Sequence, residues 1–481
     1  MYPSTSSILF VAPKQGGILQ SSGFLDLNSL MALNLTCKAH AYDESSLIML
    51  IESEITRHHG AITTAEAIAF WRKVRGRCSL LLHWLRRDCS VASESVKVTR
   101  EILAVAAPYE VMFLKMLRTV PHSERKQMVV GERNDLGMTV LHYAADSGNL
   151  EAVKAILALY PEAQHLRVMG VKATYGKALL HYAGRAGNVE MIKFLLDIIP
   201  ESQQRMEAVN MRDGDGNTVL HCAAESGNFE SVTTILSLYP ESQHLQVVRT
   251  QNKYGSTVLY HAAESGNSEL VKYLLHLWPE SQYVQAVSTK GQYGYTVMHS
   301  IASLGDIETI KAILHMLPES QRSEVVSLKN LSGDTVLLQA AYFKRFEFVH
   351  TVLDLLPESQ RLGVVSLGNL GDSTILHLAA YLGKIETIKS ILALYPKSQH
   401  PTIVTMQDKG GRTMLHRAAA ADSDNFETIK LLIKLLPESQ RMKAVNMRDH
   451  DGNTVLRLVT SIVTRESIMK LVPNEWSCTL S

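Results

Sequence analysis

Five histidines close a four-residue pattern that recurs along the chain: Thr139-Val-Leu-His142, Thr218-Val-Leu-His221, Thr296-Val-Met-His299, Thr374-Ile-Leu-His377 and Thr413-Met-Leu-His416. A row of imidazoles could ligate a metal or move protons. Either job needs a carboxylate, a thiolate or a second imidazole at ligand spacing, and none accompanies these histidines. Each is therefore expected to hydrogen-bond locally. Cys78 and His83 could form a nucleophile–base pair. They are five apart, off a common helix face, and no third group is indicated. Five cysteines (Cys37, Cys78, Cys89, Cys222, Cys478) are odd in number and show no C-x-x-C spacing. That fits neither a disulfide framework nor a zinc site, and a reducing compartment suits it better. No Gly-x-Ser-x-Gly, phosphate-binding loop, kinase signature or His-Glu-x-x-His occurs. No enzyme and no cofactor are expected; the alternative is an unrecognised activity within residues 1–98.

The last four residues, Cys478-Thr-Leu-Ser481, loosely satisfy the C-a-a-X pattern, with a final Ser favouring farnesyl. Cys478 is thus the lipidation candidate. No polybasic run precedes it, so a single lipid would give only weak membrane contact. Residues 8–12 are too short for a signal peptide or a span, and no other stretch reaches spanning length. The expected location is cytosolic. A formal net charge of +1 over 481 residues supplies no field to recruit nucleic acid.

The elements that position these residues follow from a repeat. Weaker copies of the tetrad begin at Ala178, Thr257, Thr335 and Thr454, and the nine starts lie 39, 40, 39, 39, 39, 39, 39 and 41 apart. A proline follows most starts by 22 residues, as at Pro161, Pro200, Pro240, Pro279, Pro318, Pro357 and Pro396. A Gly two residues before the tetrad (Gly137, Gly216, Gly255, Gly294, Gly411) suits a turn at positive φ. The tetrad opens a short helix with an Ala-Ala pair, and a second Gly (Gly148, Gly187, Gly227, Gly266, Gly305, Gly383) suits its C-terminal cap. A second amphipathic helix follows, as over 151–160 or 308–317. Neither helix alone can hide its apolar face, but stacked neighbours can.

Turn-Gly, Thr-x-Leu-His, Ala-Ala, Gly-Asn, Glu, Val/Ile-Lys and Leu-Leu, in that order, resemble the ankyrin repeat over roughly 99–475. The resemblance implies an all-α helical solenoid that binds protein. Its period is lengthened from the usual 33 to about 39. The surplus is Pro-Glu-Ser-Gln, as at Pro240-Glu-Ser-Gln243, which reads as a third helical turn with Pro at its first position. Individual units decay: His becomes Tyr260, Leu338 and Arg457, and Gly becomes Lys344 and Asp422. Residues 99–121 form a degenerate first unit, and 476–481 a polar tail.

In such arrays function lies in residues the repeat does not dictate. The varying loop tips nominate Asp135, Tyr175, Asp215, Tyr254, Tyr293 and Ser332 as partner contacts. Residues 1–98 read as a separate small helical segment, with helices over 43–58 and 64–87. The second carries Arg72, Lys73, Arg75, Arg77, Arg86 and Arg87, which read as a solvated face. Residues 12–40, with Ala12-Pro13 and Phe24-Leu-Asp-Leu-Asn-Ser-Leu-Met-Ala-Leu-Asn-Leu-Thr-Cys-Lys38, are similar to an F-box. That family docks on the adaptor subunit of cullin–RING ubiquitin ligases. The resemblance would turn Pro13, Leu19, Leu25, Leu30 and Leu33 toward the adaptor. Gly16, Gly17 and residues 21–23 are poor helix formers where the family has a helix, and the alternative is a packed amphipathic helix over 27–39. The combination resembles effectors that intracellular bacteria secrete into eukaryotic cells, which implies a host protein as partner and virulence as the setting.

Overall fold

The computed structural model describes residues 120–134, 136–173, 175–421 and 425–472, with short pieces before them at 10–11, 24–25, 100, 103–104, 107, 113–114 and 117–118. The expected helices at 27–39, 43–58 and 64–87 lie outside the described residues. The chain divides into two compact units. The first is Met1–Ser226 with Glu230–Leu238; the second is Gly227–Phe229 with Tyr239–Ser481. Among the described residues, apart from one short strand pair, both are helical, and in each the repeats stack as a solenoid of three-helix units.

The repeat that begins at Thr296 shows how the residues make the elements. Thr296 is the N-cap of the helix Val297–Leu304, which ends on Gly305 at φ 73. Asp306 caps the next helix, Ile307–Met316, by accepting the Thr309 N–H at 3.0 Å. Pro318 then precedes Glu319–Ser327, and a hairpin leads to the next threonine. Val297, Met298, Ile301, Ala302, Ile310, Ile313, Leu314, Val325 and Val326 are at most 1% exposed. Burying one such aliphatic side chain contributes roughly 1.5–3 kcal/mol, and the helices of neighbouring repeats supply part of that cover. The second helices end one to three residues short of expectation, for example Leu150–Leu157.

A recurrent asparagine ties repeats together. Asn188 caps Val189–Asp197 through its Oδ1, and its amide donates back to the Gly148 carbonyl at 2.7 Å. Asn267 does the same for Ser268–His276 and the Gly227 carbonyl, also at 2.7 Å. Asn149 reaches back to the Ala107 carbonyl at 2.8 Å. One side chain thus satisfies an orphan helix N–H and a loop carbonyl of the preceding repeat.

The Pro-Glu-Ser-Gln surplus forms a helix of eight or nine residues in most repeats, rather than a single turn. The proline stands at the cap with extended ψ, one position earlier than expected, because helical geometry begins only at the glutamate. The residue after the motif explains the helix's placement. Arg322, Arg361 and Arg441 donate from Nε to the Leu317, Leu356 and Leu436 carbonyls at 3.3, 3.0 and 3.3 Å. His165, His244 and His400 make the equivalent bond to Tyr160, Tyr239 and Tyr395. The third helix therefore returns a donor to the unsatisfied carbonyls at the C-terminal end of the second.

Departures from the repeat show in the backbone. Lys344 and Asp372 stand at φ 61 and 56, where other repeats place Gly. Near the N-terminus, Phe10–Val11 pairs antiparallel with Phe24–Leu25. Leu25 is thus extended, where the F-box resemblance implies a helix.

A left-handed lysine is disfavoured by about 1–2 kcal/mol, and glycine recovers part of that against its larger unfolded-state entropy. Lys344→Gly is expected to raise stability by roughly 0.5–1 kcal/mol. A lower urea midpoint for the variant would contradict this.

Candidate partner-binding ridge

Seven of the nine hairpins before a tetrad share an Asx turn; those before Ala178 and Thr296 have Ala173 and Gly291 instead. Asn134, Asp213, Asn252, Asn330, Asn369, Asp408 and Asp449 each stand five residues before the tetrad, and each Oδ1 accepts two backbone N–H groups, from two and four residues on. The side chain replaces a second strand as the partner of the loop backbone. This leaves two residues at each tip.

The second unit builds a ridge from these tips. Tyr254, Tyr293, Leu331 and Leu370 stand on four successive hairpins, 46, 66, 71 and 62% exposed. Backbone bonds join neighbouring tips: the Leu331 N–H donates to the Tyr293 carbonyl at 2.9 Å, and the Leu370 N–H to the Ser332 carbonyl at 3.2 Å. The chain of tips continues through Lys409 N–H to the Gly371 carbonyl (2.8 Å) and His450 N–H to the Gly410 carbonyl (2.9 Å). Tyr293 is held at φ 55, a conformation a tyrosine takes only under constraint. Leu370 lies across Gly333, where a Cβ would come within 2.5 Å of the Leu370 nitrogen. That glycine serves both its φ of 76 and the close approach of the next tip.

In the first unit, Leu136 and Tyr175 are 49 and 60% exposed on their own tips. The Tyr175 carbonyl accepts the Gly214 N–H. Asp215 is half-buried, and its N–H is bound to Asp213. Asp135, Pro13, Leu19, Leu30, Leu33 and Cys478 lie outside the described residues. The polar residue nominated at one tip, Ser332, is exposed, but the larger apolar surface there is its neighbour Leu331. Leu370 escaped the sequence reading altogether. Its signal was the repeating Asn five residues before the tetrad, here Asn369.

The histidine row is a set of clamps. Backbone N–H groups of Thr139, Ala178, Thr296, Thr374 and Thr413 donate to Nδ1 of His142, His181, His299, His377 and His416 at 3.0 to 3.3 Å. An accepting Nδ1 leaves the proton on Nε2. That nitrogen donates into the following hairpin, to the Val171, Met211, Asp334, Met406 and Met447 carbonyls at 2.9 to 3.1 Å. The bonding is thus not only local, as the sequence suggested; each ring joins two repeats. Both nitrogens are engaged in these bonds, so none has a lone pair free for a metal or a substrate proton. Burial holds all five rings below the ordinary imidazole pKa, and His299 is taken down to about 4.

Stacked three-helix repeats with an exposed row of linked tips define a helical-repeat binding scaffold. The family model for ankyrin repeats in sets of three copies matches residues 102–207, 157–246, 198–285, 243–320 and 337–444. These windows span well over half of the sequence, and the chain belongs to the ankyrin-repeat family. Ankyrin repeats serve protein–protein interaction, and the chain carries such a scaffold. No curated protein matches it. Among the described residues no helix is long and apolar enough to cross a membrane.

The clamps set a pH dependence. In the unfolded chain these histidines titrate near 6.5, and in the fold lower. Their contribution is complete above pH 6.5 and drains away as pH falls from there toward the folded values. His299 alone is expected to cost on the order of 2 kcal/mol between pH 7.5 and 5. Urea titrations at the two pH values test this, with His299→Gln flattening part of the loss; equal midpoints would refute it.

Proposed function

We propose that the chain holds a partner protein along the tip ridge of its second unit. The observation that carries this reading is the row Tyr254, Tyr293, Leu331 and Leu370, exposed on successive hairpins, of which the last three are joined by backbone hydrogen bonds. Large apolar side chains are normally buried, and a contiguous set held outward on a rigid backbone suits a partner's surface. Neighbouring repeats packed through helices are spaced by about 8–10 Å, which presents one tip for roughly every three residues of an extended peptide. The partner we propose is a eukaryotic host protein, in keeping with the resemblance of the whole chain to secreted bacterial effectors.

Tyr293→Ala/Leu331→Ser/Leu370→Ser is expected to fold with an unchanged melting curve and to capture its partner from eukaryotic lysate at least tenfold less well. Central apolar anchors typically contribute about 1–2 kcal/mol or more each. Undiminished capture of the same partner would remove the ridge from the interface.

A ligase-receptor role rests on the F-box-like stretch at 12–40. It requires the purified cullin–RING adaptor subunit to co-elute with the full chain and to be lost with Leu25→Asp/Leu30→Asp. If the variant retains the adaptor, or the parent never binds it, that role is excluded.

A further inference from the structure

Two adjacent repeats of the second unit break the array's own rules at the end of the first helix, and what replaces the rule-following residues is cationic. The position that is Gly at 148, 187, 227, 266, 305 and 383 is Lys344, at φ 61. The next position, Asn or Asp at 149, 188, 228, 267 and 306, is Arg345 in one repeat and Lys384 in the following one. Neither makes a side-chain cap to its helix, Phe346–Leu355 or Ile385–Leu392. Cations at a helix N-terminus also oppose the helix dipole. The chain thus forgoes a relaxed turn, two caps and a favourable field at one place. Local rules broken without a structural gain mark sites kept for another purpose.

The neighbouring surface is apolar and aromatic. Tyr342 and Phe343 are 47 and 52% exposed, Tyr381 is 39% exposed, and Leu304 in the preceding repeat is 41% exposed. The Tyr342 hydroxyl accepts from the Asn369 amide at 3.1 Å, and the same asparagine shapes the hairpin of Leu370, so this patch adjoins the ridge. Among the described residues Lys344 and Arg345 have no ion-pair partner. Arg345 extends over Gly305 of the preceding repeat. Glu386 is taken by Lys389 at 2.8 Å, and Lys384 lies over the Phe346 ring at 5.6 Å.

Resting on the scaffold reading above, we propose that this patch takes an acidic peptide segment of the partner protein. Its carboxylates face Lys344, Arg345 and Lys384, and an apolar side chain sits among Tyr342, Phe343 and Tyr381. Arginine beside exposed aromatics is the composition of interface centres, and charge-assisted bonds from guanidinium to carboxylate are the strong ones. A nucleic-acid backbone fits less well, because Glu347 and Glu386 follow Arg345 and Lys384 by two residues on the same helices. A symmetric dimer through this patch would set like charges against each other.

The test displays random peptides to the immobilised full chain and, in parallel, to Lys344→Gly/Arg345→Asn. That variant reinstates the rule and should melt at or above the parent's temperature. Peptides enriched by the parent are expected to carry an excess of Asp and Glu with an aromatic or aliphatic residue. A fluorescein-labelled copy of the most enriched one should bind the variant at least tenfold more weakly and lose affinity as salt rises. Absence of enrichment, enrichment without acidic bias, equal binding to both proteins, tighter binding of a single-stranded oligonucleotide, or a dimer abolished in the variant would each overturn the proposal. Enriched peptides that bind the double variant fully but not the tip variant would overturn it while leaving the scaffold standing.

Discussion

A neutral imidazole inside the first helix of most repeats is the interaction on which the arrays depend. Its Nδ1 accepts the backbone N–H of the capping residue, and its Nε2 donates to a carbonyl of the next hairpin. Those atoms would otherwise be a buried helix end and a buried loop carbonyl, each costing about 1–3 kcal/mol unsatisfied. The clamp works only while the ring is uncharged, since a second proton would sit on the nitrogen that must accept. Burial keeps it so.

Register follows from the clamp. A hairpin tied to the preceding helix has its Asx turn, its glycine and its tip fixed in space, and the next hairpin can then bond to it through the backbone. On the ridge, His299 ties the hairpin of Leu331 to the preceding helix, backbone bonds join that hairpin to those of Tyr293 and Leu370, and the resulting rigidity limits the entropy lost when a partner docks. The two cationic departures stand at the other end of the same helices, where Asn staples are missing. Order at the tips and exceptions at Lys344, Arg345 and Lys384 belong to one face of function built on one scaffold.

The lengthened period has a local cause. A second helix that ends in a turn leaves carbonyls without partners, and the Arg or His following Pro-Glu-Ser-Gln returns to satisfy them. The repeat beginning at Thr257 lacks this donor, having Tyr283 in its place, and there Arg249 stacks over the Trp278 ring at 4.3 Å. The third helix is thus a cap for the second as well as a cover for the core through residues such as Val325 and Val326.

The sequence by itself determined the repeat, its three helices, its glycine turns and the tips Tyr175, Tyr254 and Tyr293. These depend on residue type at fixed short spacing: a proline that cannot continue a helix, a glycine that tolerates positive φ, an alternation that repeats every turn. Tertiary structure alone decided the second partner of each histidine, because a carbonyl some thirty residues away carries no signature in its residue type. It also decided that Leu331 and Leu370 present large apolar surface at their tips, since how far such a side chain stands out depends on where the neighbouring hairpin packs. Lys344 is the instructive case between the two. Its departure from glycine was legible in the sequence, but only the fold showed that the backbone kept its left-handed turn regardless and raised the cation into solvent beside Tyr342 and Phe343.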